Sequence, residues 1–198
     1  MSFRTFAFAF AFASLAGAQE AGQILNVDGA QSSITYHMVH KMHKFDGISR
    51  KVEGKVRLLP SGQAQVMVRA PVQSFDSGNA NRDAHMKEVV EAARYPFVEL
   101  KAAADGIVWP NTPSSNGFYE RVSFPSTTSK VFKAQLTFHG VQQTLDLPVE
   151  IVFESANRAR ATAHLAVSLD AYKVERPSLM FIKVDDSMKI DVKVALTK

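Results

Sequence analysis

Residues 33–40, Ser33-Ile34-Thr35-Tyr36-His37-Met38-Val39-His40, decide the fold class. In an extended chain Ile34, Tyr36 and Met38 fall on one side and Ser33, Thr35 and His37 on the other, the period-two signature of a strand with one buried face. The alternation returns in residues 52–58, closed by the turn residues Pro60-Ser61-Gly62, and in residues 65–69, which run on to Pro71. These three segments are expected to be neighbours in an antiparallel meander. Residues 97–102, 159–169 and 188–196 alternate as well, and residues 131–138 and 145–153 flank His139-Gly140-Val141-Gln142-Gln143, which has the composition of a hairpin connection. The expected fold is all-β: an antiparallel barrel of about eight strands, closed because closure removes the exposed edges of so large a sheet.

Two stretches break the alternation. Residues 79–95 are rich in helix formers, begin with Asn79 as an N-cap and stop before Pro96, which predicts one short helical segment. Its apolar positions Ala80, Ala84, Met86, Val89, Val90 and Ala93 make a rough face suited to covering the barrel. Residues 109–129 carry Pro110, Pro113, Gly117 and Pro125 among serines and asparagines, so they read as a loop-rich insertion beginning at Trp109, with a short strand at 118–122.

The N-terminus reads as an address. Arg4 is followed by an apolar run from Phe6 to Ala16 that is too short to span a bilayer, and Ala16-Gly17-Ala18 has the small-x-small form of a cleavage site. Residues 1–18 are therefore expected to be a signal peptide, with residues 19–198 a single domain in the periplasm or outside the cell. The chain has no cysteine, which removes disulfides, thiolate nucleophiles and cysteine metal sites together. Basic residues exceed acidic ones by four, and cleavage removes Arg4; the remaining mild excess is spread along the chain and lacks the clustered stripe of a nucleic-acid binder.

Candidate chemistry is sparse. His37, His40 and His43 recur at every third position; in a continuous strand His37 and His43 face one way and His40 the other. A metal or haem site then needs two of them joined by His85 or His139 across a barrel mouth, the candidate set being His40, His43 and His85. No Gly-x-Ser-x-Gly or phosphate-binding glycine loop is present, Asp185-Asp186 reads as a solvated turn, and no catalytic residues or cofactor are expected. The positive signal is a set of large apolar residues on the strands, among them Phe45, Phe97, Phe132, Phe138, Phe153 and Phe181. Such residues either fill a small barrel, leaving the protein to act through its surface, or line a cavity for one ligand.

Several motifs together resemble the YceI-like family: Asp28-Gly29-Ala30-Gln31-Ser32-Ser33-Ile34-Thr35-Tyr36, Ser74-Phe75-Asp76-Ser77-Gly78, the Asn79-x-x-Arg82-Asp83-x-His85 segment, Tyr95-Pro96-Phe97, and residues 136–149 with their Gly-Val turn. The resemblance covers about residues 27–196. It implies a lipocalin-like barrel, exported, that holds an apolar lipid such as a polyisoprenoid or an isoprenoid quinone, with no nucleic-acid partner and with transient membrane contact. By the same resemblance Arg82 and His85 lie at the cavity mouth where a polar head would meet them, Arg82 alternatively pairing with Asp83 or a nearby carboxylate. Phe97 and Phe138 lie along the tunnel, and His40 occupies the position of a family histidine. Phe45, Tyr172 and Phe181 complete the expected ligand-binding set. Two departures stand out: residues 37–48 are unusually rich in His and Lys, and residues 172–186 lack the family's Asp-Phe-Gly-Leu form. If both border one barrel opening, they point to a narrower tunnel, a more anionic ligand or a metal site.

Overall fold

The computed structural model describes residues 22–40, 43–110, 123–176, 178–179 and 182–198. The expected strand at 118–122 and the expected site residue Phe181 lie outside the described residues. The strands are β1 (Gln23–Val27), β2 (Ser33–His40), β3 (His43–Ser49), β4 (Glu53–Leu58), β5 (Ala64–Pro71), β6 (Phe97–Ala104), β7 (Ser126–Phe138), β8 (Val141–Ser155), β9 (Arg158–Ser168), the short pair β10 (Ser178–Leu179) and β11 (Ile182–Lys183), and β12 (Ser187–Thr197). The single helix among the described residues, α1, spans Ala80–Val89. Strands β4, β5, β6, β7, β8, β9 and β12 follow one another in antiparallel order, and β1 pairs with both β4 and β12, closing an eight-stranded barrel.

Closure is unequal at the two ends. One edge of β12 is shared: Val27 and Asn26 of β1 pair with Leu196 and Thr197, whereas residues 33–37 of β2 pair with residues 189–193. Between the two partners the chain makes a 3₁₀ turn at Gly29–Gln31, capped by the Asp28 carboxylate, which accepts from Ala30 N at 3.1 Å. Ser32, 2 % exposed, bridges the interruption: its hydroxyl donates to the Asp28 carbonyl at 2.7 Å and accepts from Ala195 N at 3.0 Å. Asp28 N also donates to the Ala195 carbonyl at 2.9 Å, so hydrogen bonding continues where the ladder changes partner. Past this point β2 pairs with β3, whose Ile48 is also bridged to Asp76 in the connection between β5 and α1. β3 and β5 are not paired, and Met86, Val89 and Val90 pack into the apolar cluster at the seam between them.

This arrangement corrects the expected meander. Residues 53–58 and 64–71 are neighbours, but residues 33–40 lie on the far side of β1, between β12 and β3. It also corrects the histidine row. The chain reverses between His40 and His43, which are cross-strand partners and so share a face, because an antiparallel pair points both side chains the same way. The β7–β8 connection is tighter than the five residues expected: only His139 and Gly140 intervene, both at positive φ (49° and 72°), the two-residue turn whose twist matches paired strands. Of the expected helix face, Met86, Val89 and Val90 turn inward, while Ala80, Ala84 and Ala93 are exposed.

On the outer surface a row of titratable groups ties four strands together. His37 (β2) lies 2.7 Å from Asp46 (β3) and 3.1 Å from Asp191 (β12), and His164 (β9) lies 2.6 Å from the other oxygen of Asp191. The hydrogen bond to Asp46, and after it that to Asp191, raises the His37 pKa above 6.5, while His164 and then His37 lower that of Asp191 below 3.8. The His37 contribution to stability is complete below pH 6.5 and fades as pH rises through the folded value; that of Asp191 is complete above 3.8 and fades as pH falls. The urea midpoint is therefore expected to decline modestly between pH 6 and pH 8.5, modestly because solvent screens these groups. His37→Gln is expected to flatten the decline; an unaltered slope in this variant places the dependence elsewhere.

Candidate functional site

The alternation that defines the strands sends Ile34, Tyr36 and Met38 of β2, Val98 and Leu100 of β6, and Met188, Ile190 and Val192 of β12 inward. They do not fill the upper half of the barrel. A cavity of about 660 Å³ remains, within the range of sites that enclose small organic molecules. Leu136 and Phe138 of β7, Leu165 and Val167 of β9, Met86 and Val89 of α1, and Val90 at its C-cap complete its apolar wall. The barrel is thus hollow at this end, which removes the filled-interior alternative.

Polar side chains enter at one corner, where α1 meets β2 and β3: His40, Asn81, Arg82 and His85 all border the cavity there. The corner is built from the helix start. Asn79 caps α1, its side chain accepting from Arg82 N at 3.1 Å. Asp83, 8 % exposed, accepts from Ser77 N at 3.1 and 3.2 Å and from the Ser77 hydroxyl. Arg82 does not pair with Asp83 directly; its Nε donates to Ser77 Oγ at 2.9 Å and its Nη2 to the Ser77 carbonyl at 2.7 Å. The guanidinium then lies 4.8 Å from the centre of the Phe45 ring, a cation–π stack that holds it flat at the cavity edge. Ser77 therefore relays between Asp83 and Arg82, orienting the cation without a carboxylate in direct contact.

Tyr36 is the buried polar group beside this corner. Its ring lies over its cross-strand partner Gly47, where an added Cβ would sit 2.3 Å from ring atoms, and 5.7 Å from the Phe75 ring. Burial, and after it the charge of Asp83, pushes its pKa up to about 12, so the phenol stays neutral.

Seven of the eight residues expected to bind ligand lie among the described residues, and they separate clearly. His40, Phe45, Arg82, His85 and Phe138 are brought together around the cavity. Phe97 is not: it shares the outer face of the sheet with Arg69, whose guanidinium lies 4.4 Å from its ring centre, while its neighbour Val98 points inward. Tyr172 is buried behind the wall, its ring 5.7 Å from that of Phe138 and its hydroxyl donating to the Leu136 carbonyl at 3.5 Å. It supports the cavity without lining it. The metal alternative loses its geometry, since among the described residues no three His, Asp or Glu side chains gather where they could hold an ion, and His40, His43 and His85 are no exception.

Trp109, which lies outside regular structure as expected, is 2 % exposed, edge-on to Phe153 at 5.3 Å, with its indole N–H donating to the Ala156 carbonyl at 2.7 Å. Beside it a second, smaller apolar compartment of about 90 Å³ is lined by Ile107, Phe132, Ile151 and Phe153. Val68, Leu100, Leu147 and Val192 border both spaces.

A barrel of this topology, split over one strand and sealed by a capped helix, matches a known domain: the family model described as YceI-like domain aligns with residues 25–196. The chain belongs to the YceI-like family. Solved structures share its fold. A polyisoprenoid binding domain from Saccharophagus degradans, implicated in plant cell wall breakdown, is 16 % identical with a TM-score of 0.68, covering 90 % of this chain and 99 % of that one. BcnA of Burkholderia cenocepacia is 18 % identical with a TM-score of 0.65, covering 85 % and 98 %. The YCEI protein of Campylobacter jejuni is 14 % identical with a TM-score of 0.53, covering 100 % and 99 %. No curated protein matches this YceI-like sequence.

Asp83→Ala is expected to lower the stability of this YceI-like domain by about 1–3 kcal/mol in urea unfolding, because Ser77 N–H loses its buried acceptor. The same change removes a negative charge near Tyr36, so phenolate absorbance in the folded variant is expected to appear at lower pH than in the wild type. An unmoved tyrosine titration in a folded variant contradicts the placement of Asp83.

Proposed function

We propose that this protein is a binding protein that carries one apolar chain molecule, a polyisoprenoid or an isoprenoid-quinone-like lipid, in the upper barrel. The observation that carries this reading is the 660 Å³ cavity whose lining is apolar apart from His40, Asn81, Arg82 and His85 at one corner, Tyr36 beside them and Glu99 on β6. Such a space gives a hydrocarbon chain what water does not. Each buried CH₂ contributes about 0.8 kcal/mol, and a chain of several isoprene units exceeds the cost of association. The corner supplies donors to a polar or anionic head, with Arg82 held in place by Ser77 and Phe45. That a similar fold from Saccharophagus degradans is described as polyisoprenoid binding supports the choice of ligand class. The walls present apolar contact and a few donors, an arrangement suited to holding a ligand rather than converting one.

The reading includes export. Residues 1–18 have the charge, apolar run and cleavage form of a signal peptide, and a cysteine-free barrel is stable without disulfides in an oxidising compartment. Delivery of a water-insoluble ligand implies transient contact with a membrane.

Native mass spectrometry of the protein recovered from the periplasmic fraction, followed by organic extraction, tests both parts. The expected species begins at Gln19 and carries one lipid per chain. Phe138→Asp, checked for folding by circular dichroism, is expected to lose that lipid because an ionised carboxylate enters the apolar wall. A folded wild type free of lipid, or a folded variant with undiminished lipid, overturns the binding reading; a chain retaining Met1 in the cytoplasm overturns export.

A further inference from the structure

Strand β2 leaves the barrel at His37. Its ladder with β12 runs from Ser33 to His37, the last rung setting His37 opposite Lys189, whereas β12 continues beside β9 as far as Ser187. Beyond that rung β2 is paired only with β3, apart from the Asp185 N–H, which donates to the Val39 carbonyl at 3.0 Å. The arm formed by residues 38–40 and 43–46 carries Met38, His40 and Phe45 to the cavity, and the Phe45 ring takes the Arg82 guanidinium. Asn81 and His85 of α1 border the same corner and are exposed, so the cavity reaches solvent beside this arm.

The root of the arm is held by side chains. His37 presents Nδ1 to Asp46 of β3 at 2.7 Å and Nε2 to Asp191 of β12 at 3.1 Å, so both ring nitrogens face carboxylate oxygens. Only the imidazolium donates to both; a neutral ring has one N–H and turns a lone pair on the other carboxylate. The shorter contact, to Asp46, lies within the β2–β3 pair, and the longer one, to Asp191, is the one that crosses to the barrel. His164 of β9 lies 2.6 Å from the second Asp191 oxygen and can donate to it as a neutral ring. By the strand alternation Lys189 and Lys193 of β12 and Lys44 of β3 share this outer face. We propose that His37 is a proton-operated clasp, which ties the arm to β12 when charged and, when neutral, frees it from Asp191 so that the cavity exchanges its ligand faster. This inference rests on the reading of the upper cavity as a ligand site and adds its regulation. Because the hydrogen bond to Asp46, and after it that to Asp191, raises the His37 pKa above 6.5, the clasp is complete below that value and opens as pH rises through the folded one.

The experiment follows release of a neutral apolar dye, N-phenyl-1-naphthylamine, from the delipidated protein by stopped-flow dilution at about pH 6 and about pH 8.5, which bracket the release of the His37 proton. Wild type is expected to release the dye about two- to five-fold faster at the higher pH, the range that a partly exposed ion pair permits. His37→Gln, which carries no proton to lose, is expected to release it equally at both values. Asp191→Asn, which removes the carboxylate on β12, is expected to release it fast at both. His164→Gln leaves the His37–Asp191 contact in place and is expected to keep the wild-type ratio. The histidines that border the cavity, His40 and His85, are present in all of these variants. A pH ratio that survives in His37→Gln or Asp191→Asn, or equal release by wild type at both values, overturns the clasp while leaving the upper-cavity reading intact. A folded wild type that binds no dye at either pH overturns both.

Discussion

The sharing of one edge of β12 between two partners is the constraint on which the rest of this molecule depends. β1 holds that edge only at Asn26 and Val27. The 3₁₀ turn at Gly29–Gln31 then hands the edge to β2, with Ser32 supplying the hydrogen bonds the ladder loses there. From that exchange follows the divergence of β3 from β5, the seam between them, and the need for something to fill it. A helix is suited to that seam because it satisfies its own backbone groups, and its N-terminus brings Asn79, Arg82 and Asp83 into one corner. The donors His40, Asn81, Arg82 and His85 thus meet the cavity where β2 and β3 leave the closed barrel.

Most of the fold was legible because a closed antiparallel barrel writes its inside and outside into alternate positions. The strand stretches, the helix with its asparagine cap, and the β7–β8 hairpin all follow from period and turn chemistry. The errors fall where pairing, which is long-range, outweighs local pattern. Residues 33–40 look like the neighbour of residues 52–58 because they are close in sequence, yet the 3₁₀ turn sets them against β12, on the edge that β1 has just left. His43 was placed opposite His40 by counting along an uninterrupted strand, and the chain turns back before it is reached.

The site was legible in part, and its misses are instructive about parity. In residues 97–102 the apolar partners of the pattern are Val98, Leu100 and Ala102, while Phe97 keeps company with Glu99 and Lys101. The alternation itself thus assigns Phe97 to the outer face, where Arg69 covers it; size of side chain was a poorer guide than position. Trp109 and Tyr172 carry no such signal, since both lie beyond strand ends and are drawn inward by what they cover. Whether the barrel is hollow depends on how Leu, Val and Met side chains meet across the interior, and a one-dimensional pattern does not encode that distance.

The same physics makes the cavity directional. A ligand with a polar head gains nothing by burying it among Leu165, Val167 and Ile190, where a lost hydrogen bond costs more than a methylene returns. It gains at the corner where Arg82 lies flat against Phe45 with two of its nitrogens already committed to Ser77. The guanidinium is therefore oriented before any ligand arrives, and little rotamer entropy remains to be lost on binding. Tyr36, kept neutral by burial and by Asp83, adds no competing charge beside it. A cation fixed at one corner and an apolar wall elsewhere specify which end of an amphipathic chain enters first, and they do so through the helix cap that the split of β12 made necessary.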